Sequence, residues 1–537
     1  MKRSFLLSLA IVLVLALIAP AVGAEAVDLW AKYDQPVTVT FAVNGKEDGF
    51  SWGDNIWTQA WKDKFNIDTK ILWSTETDDA YNTKLSLAIL SGDLPDYICT
   101  FNYNQFLQLV DANGAADITA LFKDWAYPPL YENMNYDGIS QSYGVIDGIR
   151  YGINTTGGMP TDTRLYYIRS DYLEKVGGKI PTTVEEVVAL GKQFVDQGLA
   201  KYALPLTGKA ITEGYSDVQI VANGYGAYPN IWVDVGNGIQ YGSTLPGMET
   251  ALDVYKDLYK GGYIDPAFAT AVGDTLTAQI LNGEVGILTG DFWIPTWPLP
   301  DLKDANGLIV DWTIVQALPS ANNAAFKVQG GKPTGKMIAI RAGYDHPEAV
   351  MKLMNFRCAM LDDPNMADSD FQTVYNADGT KIDNHMRCPI REYFNFPYTN
   401  MYTSPDVTKA IDTGDESSLV RPHDHIQYDN VKNYLAAKKA NDITGMNTNW
   451  ANFKLFYGEN SAFGGFYKNY TAGNYIFDAT GGYESPDLAR LWGSLSQYEN
   501  NFYINYIGGT EPSTFQDFVD TWMGMGGELL TYELNHR

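Results

Sequence analysis

Basic residues are scarce: 38 Lys and Arg stand against 64 Asp and Glu, a formal charge of -26. A surface this acidic repels polyanions, which argues against nucleic acid and anionic membrane faces as partners. Cysteine is rarer still, with only Cys99, Cys358 and Cys388, and none lies near the N-terminal segment where a lipid attachment site would stand. Cys358 and Cys388 are the only nearby pair that could bridge in an oxidising compartment, while Cys99, inside the apolar run DYICTF, reads as a buried inert thiol. No G-x-x-x-x-G-K-[ST] phosphate loop occurs, so the chain is not itself a nucleotide-driven motor. Beyond residue 26 no apolar run is long enough to span a bilayer.

The chain does have apolar material in quantity. At 537 residues, 45% hydrophobic and 13% aromatic, it exceeds one ordinary domain and can fill two sizeable cores. Residues 1–26 place Lys2 and Arg3 ahead of an apolar run from Phe5 to Ile18, then small residues ending at Ala24 or Ala26. That order predicts a cleaved export signal, and hence a free periplasmic or secreted protein.

After it, strand and helix patterns alternate. VTVTFAV (37–43), a helix from Asp54 to Phe65, IDTKILW (67–73), a helix from Thr77 to Leu90 and DYICTF (96–101) form a βαβαβ start, with Asp54 as a candidate helix cap and Gly92 ending the second helix. A second α/β run follows Tyr151: RLYYIRS (164–170), a helix over 181–194 with Thr183 three residues before Glu186, the strand-like KYALPLT (201–207), a helix from Met248 to Tyr259, a helix, glycine turn and strand over 275–293, and DWTIVQALP (311–319). The expected class is α/β, two lobes with mostly parallel sheets. Residues 376–474, rich in Asn, Asp, Tyr and Pro, show little periodicity and read as surface excursions with some helix.

Three short motifs invite chemistry and are better read without it. GFSWG (49–53) matches the G-x-S-x-G nucleophile elbow, but only one strand precedes it, so a glycine-rich turn is the better reading. His423-Asp424-His425 offers two metal ligands in no recognised spacing and reads as a solvated loop. NADGTKID (376–383) lacks the closing Glu of a calcium loop and reads as a hairpin turn on Asp378-Gly379.

Several blocks together resemble family 1 extracellular solute-binding proteins of ABC importers, in particular the large oligosaccharide-binding branch of polysaccharide-importer lipoproteins and alginate-binding proteins. They are SGDLPDYI (91–98), DGIRYGI (147–153) followed by RLYYIRSDYLEKVGGKIPTTVEEV (164–187), NGEVGILTGDFW (282–293), HPEAVMKLMNF (346–356) and TFQDFVDTWMGMGGELLTYELN (514–535). The resemblance implies a clamshell: lobe 1 from 27–158, returning over 333–415, and lobe 2 from 159–332 with a helical C-terminal part over 416–537. Crossovers are expected near 154–164 and 330–340. It also implies an oligosaccharide ligand, membrane permease subunits as partners, a monomer, no cofactor and no catalysis. Two departures stand out: the missing lipid-attachment cysteine, and KQFVDQGLAKYALPLT running on where alginate-binding relatives carry a calcium loop, so no metal is expected there.

Open parallel sheets bind ligands beyond the carboxyl ends of their strands, and sugar rings stack on flat side chains while their hydroxyls take polar partners. On that basis the candidate ligand contacts are Trp52, Tyr103, Trp232, Trp293 and Trp297, with Asn44, Asn55, Glu76, Asn104, Arg164 and Asp291 as polar neighbours. Few basic residues beyond Arg164 and Lys332 fall in these loops, which favours a neutral ligand. A secreted glycosidase and an importer protein for a peptide are the alternatives.

Overall fold

The structure is a computed structural model that describes residues 27–536, apart from 137–139, 157–158, 212–214, 324, 332–333, 364–365, 376–380, 395 and 481–484. The export segment 1–26, Lys332 and the turn at Asp378-Gly379 therefore lie outside the described residues. The strands flanking that turn, Thr373–Tyr375 and Lys381–Asp383, pair antiparallel.

In chain order the strands of the two main sheets are β1 (Val37–Asn44), β2 (Ile67–Thr75), β3 (Tyr97–Thr100), β4 (Ile153–Thr156), β5 (Leu165–Arg169), β6 (Ile287–Gly290), β7 (Trp312–Val315) and β8 (Thr334–Ile340). The first sheet has the order β2-β1-β3-β8-β4. Strands β1, β2 and β3 run parallel, while β8 runs antiparallel to both β3 and β4. Alternation along β1 sends Val37, Val39, Phe41 and Val43 into one core and Ala42 into another, so both faces of the sheet are covered. Helix α1 (Ile56–Phe65) fills the first of these cores with Trp57, Trp61 and Phe65. Helix α2 (Asp78–Ser91) covers the other face with Tyr81, Leu85 and Ala88 and ends at Gly92 in the left-handed conformation.

The second sheet, order β6-β5-β7, is antiparallel throughout, unlike the parallel arrangement expected for it. Its five-residue central strand β5 is buried along its whole length: Leu165 and Tyr167 enter one core, Tyr166 and Ile168 the other. KYALPLT forms no strand and contributes only a bridge from Tyr202 to Val285. Thr183 caps the helix Val184–Asp196 by accepting from the Glu186 N–H, and the Glu186 carboxylate accepts from the Thr182 N–H.

The region read as excursions is instead a helical layer: Thr399–Thr413, Pro422–Ala440, Ile443–Phe456 and Ala462–Thr471 pack onto the second sheet through Met401, Val407, Val431, Trp450 and Phe463. Phe394 still belongs to the first core, whereas Tyr398 and Met401 belong to the second. The chain thus makes a third crossing near 394–398, and the boundary expected at 415 falls inside the second unit. His423 and Asp424 sit in the first turn of a helix rather than in a solvated loop. All three cysteines are buried.

Candidate ligand-binding cleft

A cavity of about 1070 Å³ lies between the two sets of cores. One wall comes from the carboxyl ends of β1 and β3, with Asn44 closing β1 and Phe101 following β3, where an α/β sheet presents its ligand site. Phe101 stacks on Tyr81 with ring centroids 4.7 Å apart. The facing wall carries Phe292, Asn400, His423 and Gln427 from the second unit.

Under the first wall the buried Glu392 carboxylate gathers three partners. The Tyr97 hydroxyl donates to Oε2 at 2.6 Å, the Cys99 thiol donates to Oε1 at 3.2 Å, and Lys336 Nζ stands 3.6 Å from Oε1. The same ammonium lies 3.7 Å from the Phe101 ring centroid, a close cation–π contact. Burial, with the nearby Glu392 charge, holds the Cys99 thiol well above its ordinary range, so it serves as a donor and not as a nucleophile.

Arg391 is spoken for as well. It donates to the Asn44 carbonyl at 2.8 Å and lies over the Trp52 ring at 5.3 Å. Gly45 makes this possible: its φ is +140°, and a Cβ there would sit 2.3 Å from the Arg391 guanidinium. The Asn44 side-chain amide donates to Asp78, joining the end of β1 to the first turn of α2.

On the second unit Arg164 is held between two carboxylates. Its Nε donates to Asp217 at 2.9 Å and its terminal nitrogen reaches Asp291. Burial alone would lower the Arg164 pKa, but Asp217 and Asp291 outweigh it and keep the guanidinium charged. Burial pushes the Asp291 carboxyl up to about 6, against the pull of Arg164 and with Asp162 and Asp217 adding to the rise. Asp291 also accepts from the Trp293 indole N–H at 3.3 Å, and its carbonyl accepts from the Tyr167 hydroxyl at 2.6 Å. The loop after β6 is thereby tied to the start of β5. Trp293, Trp297 and Tyr215 form a ring cluster with centroids 5.9 to 6.0 Å apart, and Trp297 is 44% exposed.

The residues named from the sequence fall in several different surroundings. Trp52 is 1% exposed and packs edge-on against Phe50, so it offers no face to a ligand. Asn55, not Asp54, caps α1: it accepts from the Trp57 N–H and donates to the Ser51 and Trp52 carbonyls, which uses its side chain. Trp232, 2% exposed, is packed among Tyr241 and Trp522. Glu76 is exposed in the turn before α2, and Tyr103 and Asn104 are half-buried at the start of the helix Tyr103–Asp111. Arg164, Asp291, Trp293 and Trp297 are brought together as described. Of the eleven, Asn44 is on the cavity wall; the others are not, and the wall passes instead through their neighbours Phe101 and Phe292.

Sequence reasoning missed Lys336, Arg391, Glu392 and His423. Phe101 and Asn44 carried a usable signal, being the residues at strand ends. Arg391, Glu392 and His423 carried none, because they lie in the stretch without periodicity. The His423 ring packs edge-on to Phe456 at 5.7 Å, and burial pushes its pKa down to about 4, so it lines the cleft as a neutral ring. Among the described residues no group of three or more His, Cys, Asp or Glu side chains is placed to hold a metal, and no helix is long and apolar enough to cross a membrane.

Known proteins with this arrangement agree with its shape. A curated relative, the putative ABC transporter periplasmic-binding protein YcjN of Escherichia coli K12, is 27% identical over 192 residues, which covers 34% of this chain and 39% of that protein. Two solved structures match over almost the whole fold. An HMO-binding, ABC-transporter-associated solute-binding protein from Bifidobacterium longum infantis has a TM-score of 0.60 at 12% identity, covering 93% of this chain and 97% of the other. The S. pneumoniae substrate-binding protein FusA, an EF-hand mutant in complex with fructo-nystose, has a TM-score of 0.59 at 12% identity, covering 93% and 98%. Residues 51–356, more than half of the chain and including β1's helix, the crossing to β5 and the first-unit return, match one family profile: the chain belongs to the bacterial extracellular solute-binding proteins.

Proposed function

We propose that this protein captures an oligosaccharide outside the cytoplasm, holds it between its two units, and delivers it to the membrane permease of an ABC importer without converting it. The observation that carries this reading is the cavity of about 1070 Å³, walled from both units by aromatic rings and by amide and carboxylate groups. Flat rings suit the apolar faces of sugars, and the polar groups suit their hydroxyls. The fold-sharing proteins are named for carbohydrate ligands, which supports the same class here, although a shared fold does not by itself fix a ligand.

The units are 27–156 with 334–394, and 165–329 with 396–536, linked by three crossings. They close over the ligand as a hinge. The loop 291–297 extends the cleft beyond Phe292, with Trp297 as an exposed stacking face. The chain works as a monomer and is exported by its first 26 residues.

The decisive experiment is a thermal-shift screen against a glycan panel with product analysis of the same mixtures. Binding raises the melting temperature without releasing product. Shortened glycans in the mixture would establish a glycosidase instead, and a shift with peptides alone would move the ligand class. Small-angle scattering with the best glycan should show a smaller radius of gyration; an unchanged radius at saturation argues against closure.

A further inference from the structure

Building on the oligosaccharide reading, we propose that Glu392 sets the charge selectivity of the cleft, so that the ligand is an uncharged oligosaccharide and acidic sugars are refused. Among the described residues, Lys336 and Arg391 line the cavity and Arg164 stands beside it, and each is already engaged. Lys336 is held 3.6 Å from Glu392 and lies on the Phe101 ring. Arg391 is bound to the Asn44 carbonyl. Arg164 is clamped between Asp217 and Asp291.

A uronate or sialyl carboxylate is recognised by charge-assisted hydrogen bonds from such cations. Taking Lys336 for that purpose would strand Glu392, whose side chain is 6% exposed, as a buried carboxylate without its cation. Stranding a buried charge costs more than a new exposed pair returns. Taking Arg164 would pull it away from Asp217, which has no exposed side-chain surface, and from Asp291.

The remaining charges on the wall have the wrong sign for an acid. Asp78 from the first unit and Asp162 from the second both line the cavity. Carboxylates accept from sugar hydroxyls but repel a second carboxylate. Tyr97 and Cys99 donate to the two oxygens of Glu392, which keeps the carboxylate oriented toward Lys336. Glu392 acts through Lys336, as a positioning residue.

The experiment is calorimetric titration of the full chain with neutral hexose tetrasaccharides and with tetragalacturonate, at low salt and again at high salt. Wild-type protein should bind at least one neutral glycan and prefer it over the uronate by about a hundredfold or more. Glu392→Gln, which releases the ammonium, should tighten uronate binding about tenfold, and high salt should remove the gain. Asp78→Asn, at an exposed position in the first turn of α2, should move uronate affinity the same way by a smaller factor. Equal affinity of wild type for the two charge classes overturns the proposal and leaves oligosaccharide capture standing. So does a folded Glu392→Gln, or Asp78→Asn should the former not fold, with unchanged uronate affinity. Failure of every glycan to bind overturns the functional reading and this selectivity with it.

Discussion

The two units bury their sheets by different chemistry. In the first, β1 alternates valines and a phenylalanine into a core completed by Trp57, Trp61, Phe65 and methionines of the helix Pro347–Asp362. Polar groups enter it as well: Lys352, Asn355 and Arg357 of that helix are buried, as is Glu392. In the second, the strand β5 brings Tyr166 and Tyr167 inside, and further rings follow: Tyr241 stacks on Trp522 at 4.6 Å and 5°, with Tyr503, Phe502 and Phe518 nearby. Hydroxyls come with those tyrosines and require acceptors. Glu499, 1% exposed, answers one of them by accepting from the Tyr241 hydroxyl at 2.8 Å. Both units combine apolar contact with buried hydrogen bonds; the second differs in building its core from stacked rings around Glu499, a carboxyl that burial keeps protonated to higher pH.

The sharpest test of the first half of that contrast is Trp52→Ala. Trp52 is buried against Phe50 and under Arg391, so its removal leaves a cavity and should cost about 3 to 5 kcal/mol in urea unfolding. A loss of that size with glycan affinity retained assigns Trp52 to the core. Weakened binding with stability intact would return it to the ligand site.

The second half predicts a pH dependence that arises in the second unit at Glu499. Burial pushes the Glu499 carboxyl up to about 7, against hydrogen bonds from Ser243, Tyr241 and Tyr503 that favour its charged form. A carboxyl with a raised folded-state pKa binds more protons folded than unfolded. Its contribution is therefore full below the unfolded value near 4.5 and is lost as pH rises through about 7. The loss amounts to roughly 3 kcal/mol between those limits. Glu499→Gln should flatten this slope between pH 5 and 8, as followed by chemical denaturation; an unchanged slope would assign the pH dependence to other groups.

The same contrast explains what could be read from the sequence. Valine and isoleucine alternation made β1, β2 and β3 legible, and Gly92 and Thr183 marked helix ends for stereochemical reasons that hold locally. The helices from 399 to 471 were illegible because their buried faces use Tyr, Thr, Ser, Asn and Asp, such as Thr403 and Asp424 bonded to each other at 2.7 Å, and a hydrophobicity pattern does not register them. The antiparallel course of the second sheet depends on contacts between segments more than a hundred residues apart. For the cleft, the rule that ligands sit at strand ends points to the turns that hold Asn44, Phe101 and Phe292, which line the cavity, whereas Trp52, Trp293 and Trp297 do not line it. Arg391 and Glu392 reach the wall from a segment that has no regular structure, so only the folded chain could reveal them.

If both walls grip the ligand, Phe101 from the first unit and Phe292 from the second should matter alike. Each alanine variant should weaken glycan binding by about 1 to 3 kcal/mol in calorimetry. Should only one of them respond, the ligand rests on a single unit and closure contributes little. Trp297→Ala, which removes a half-exposed ring beyond the wall, tests the extension of the cleft: long glycans should lose affinity and short ones should not.

The smallest expected effect separates the stability of a unit from its use. Thr183 accepts the Glu186 N–H at 3.2 Å and so satisfies one of the donors left open at the start of the helix Val184–Asp196. That helix packs Val184, Val187, Leu190 and Phe194 into the core of the second unit, on the side reached by Tyr166 and Ile168 of β5. The cleft wall borrows from the opposite face, where Leu165 and Tyr167 lead to the loop at Asp291. Thr183→Ala should therefore cost about 1 kcal/mol of unfolding free energy while leaving glycan affinity within error. Because the Glu186 carboxylate also accepts from the Thr182 N–H at 2.8 Å, part of the cap survives the substitution, which keeps the loss small. Denaturation and calorimetry on one preparation decide the matter. A measurable fall in affinity would mean that the two faces of the second sheet are mechanically coupled and that the helix on its far side helps set the cleft.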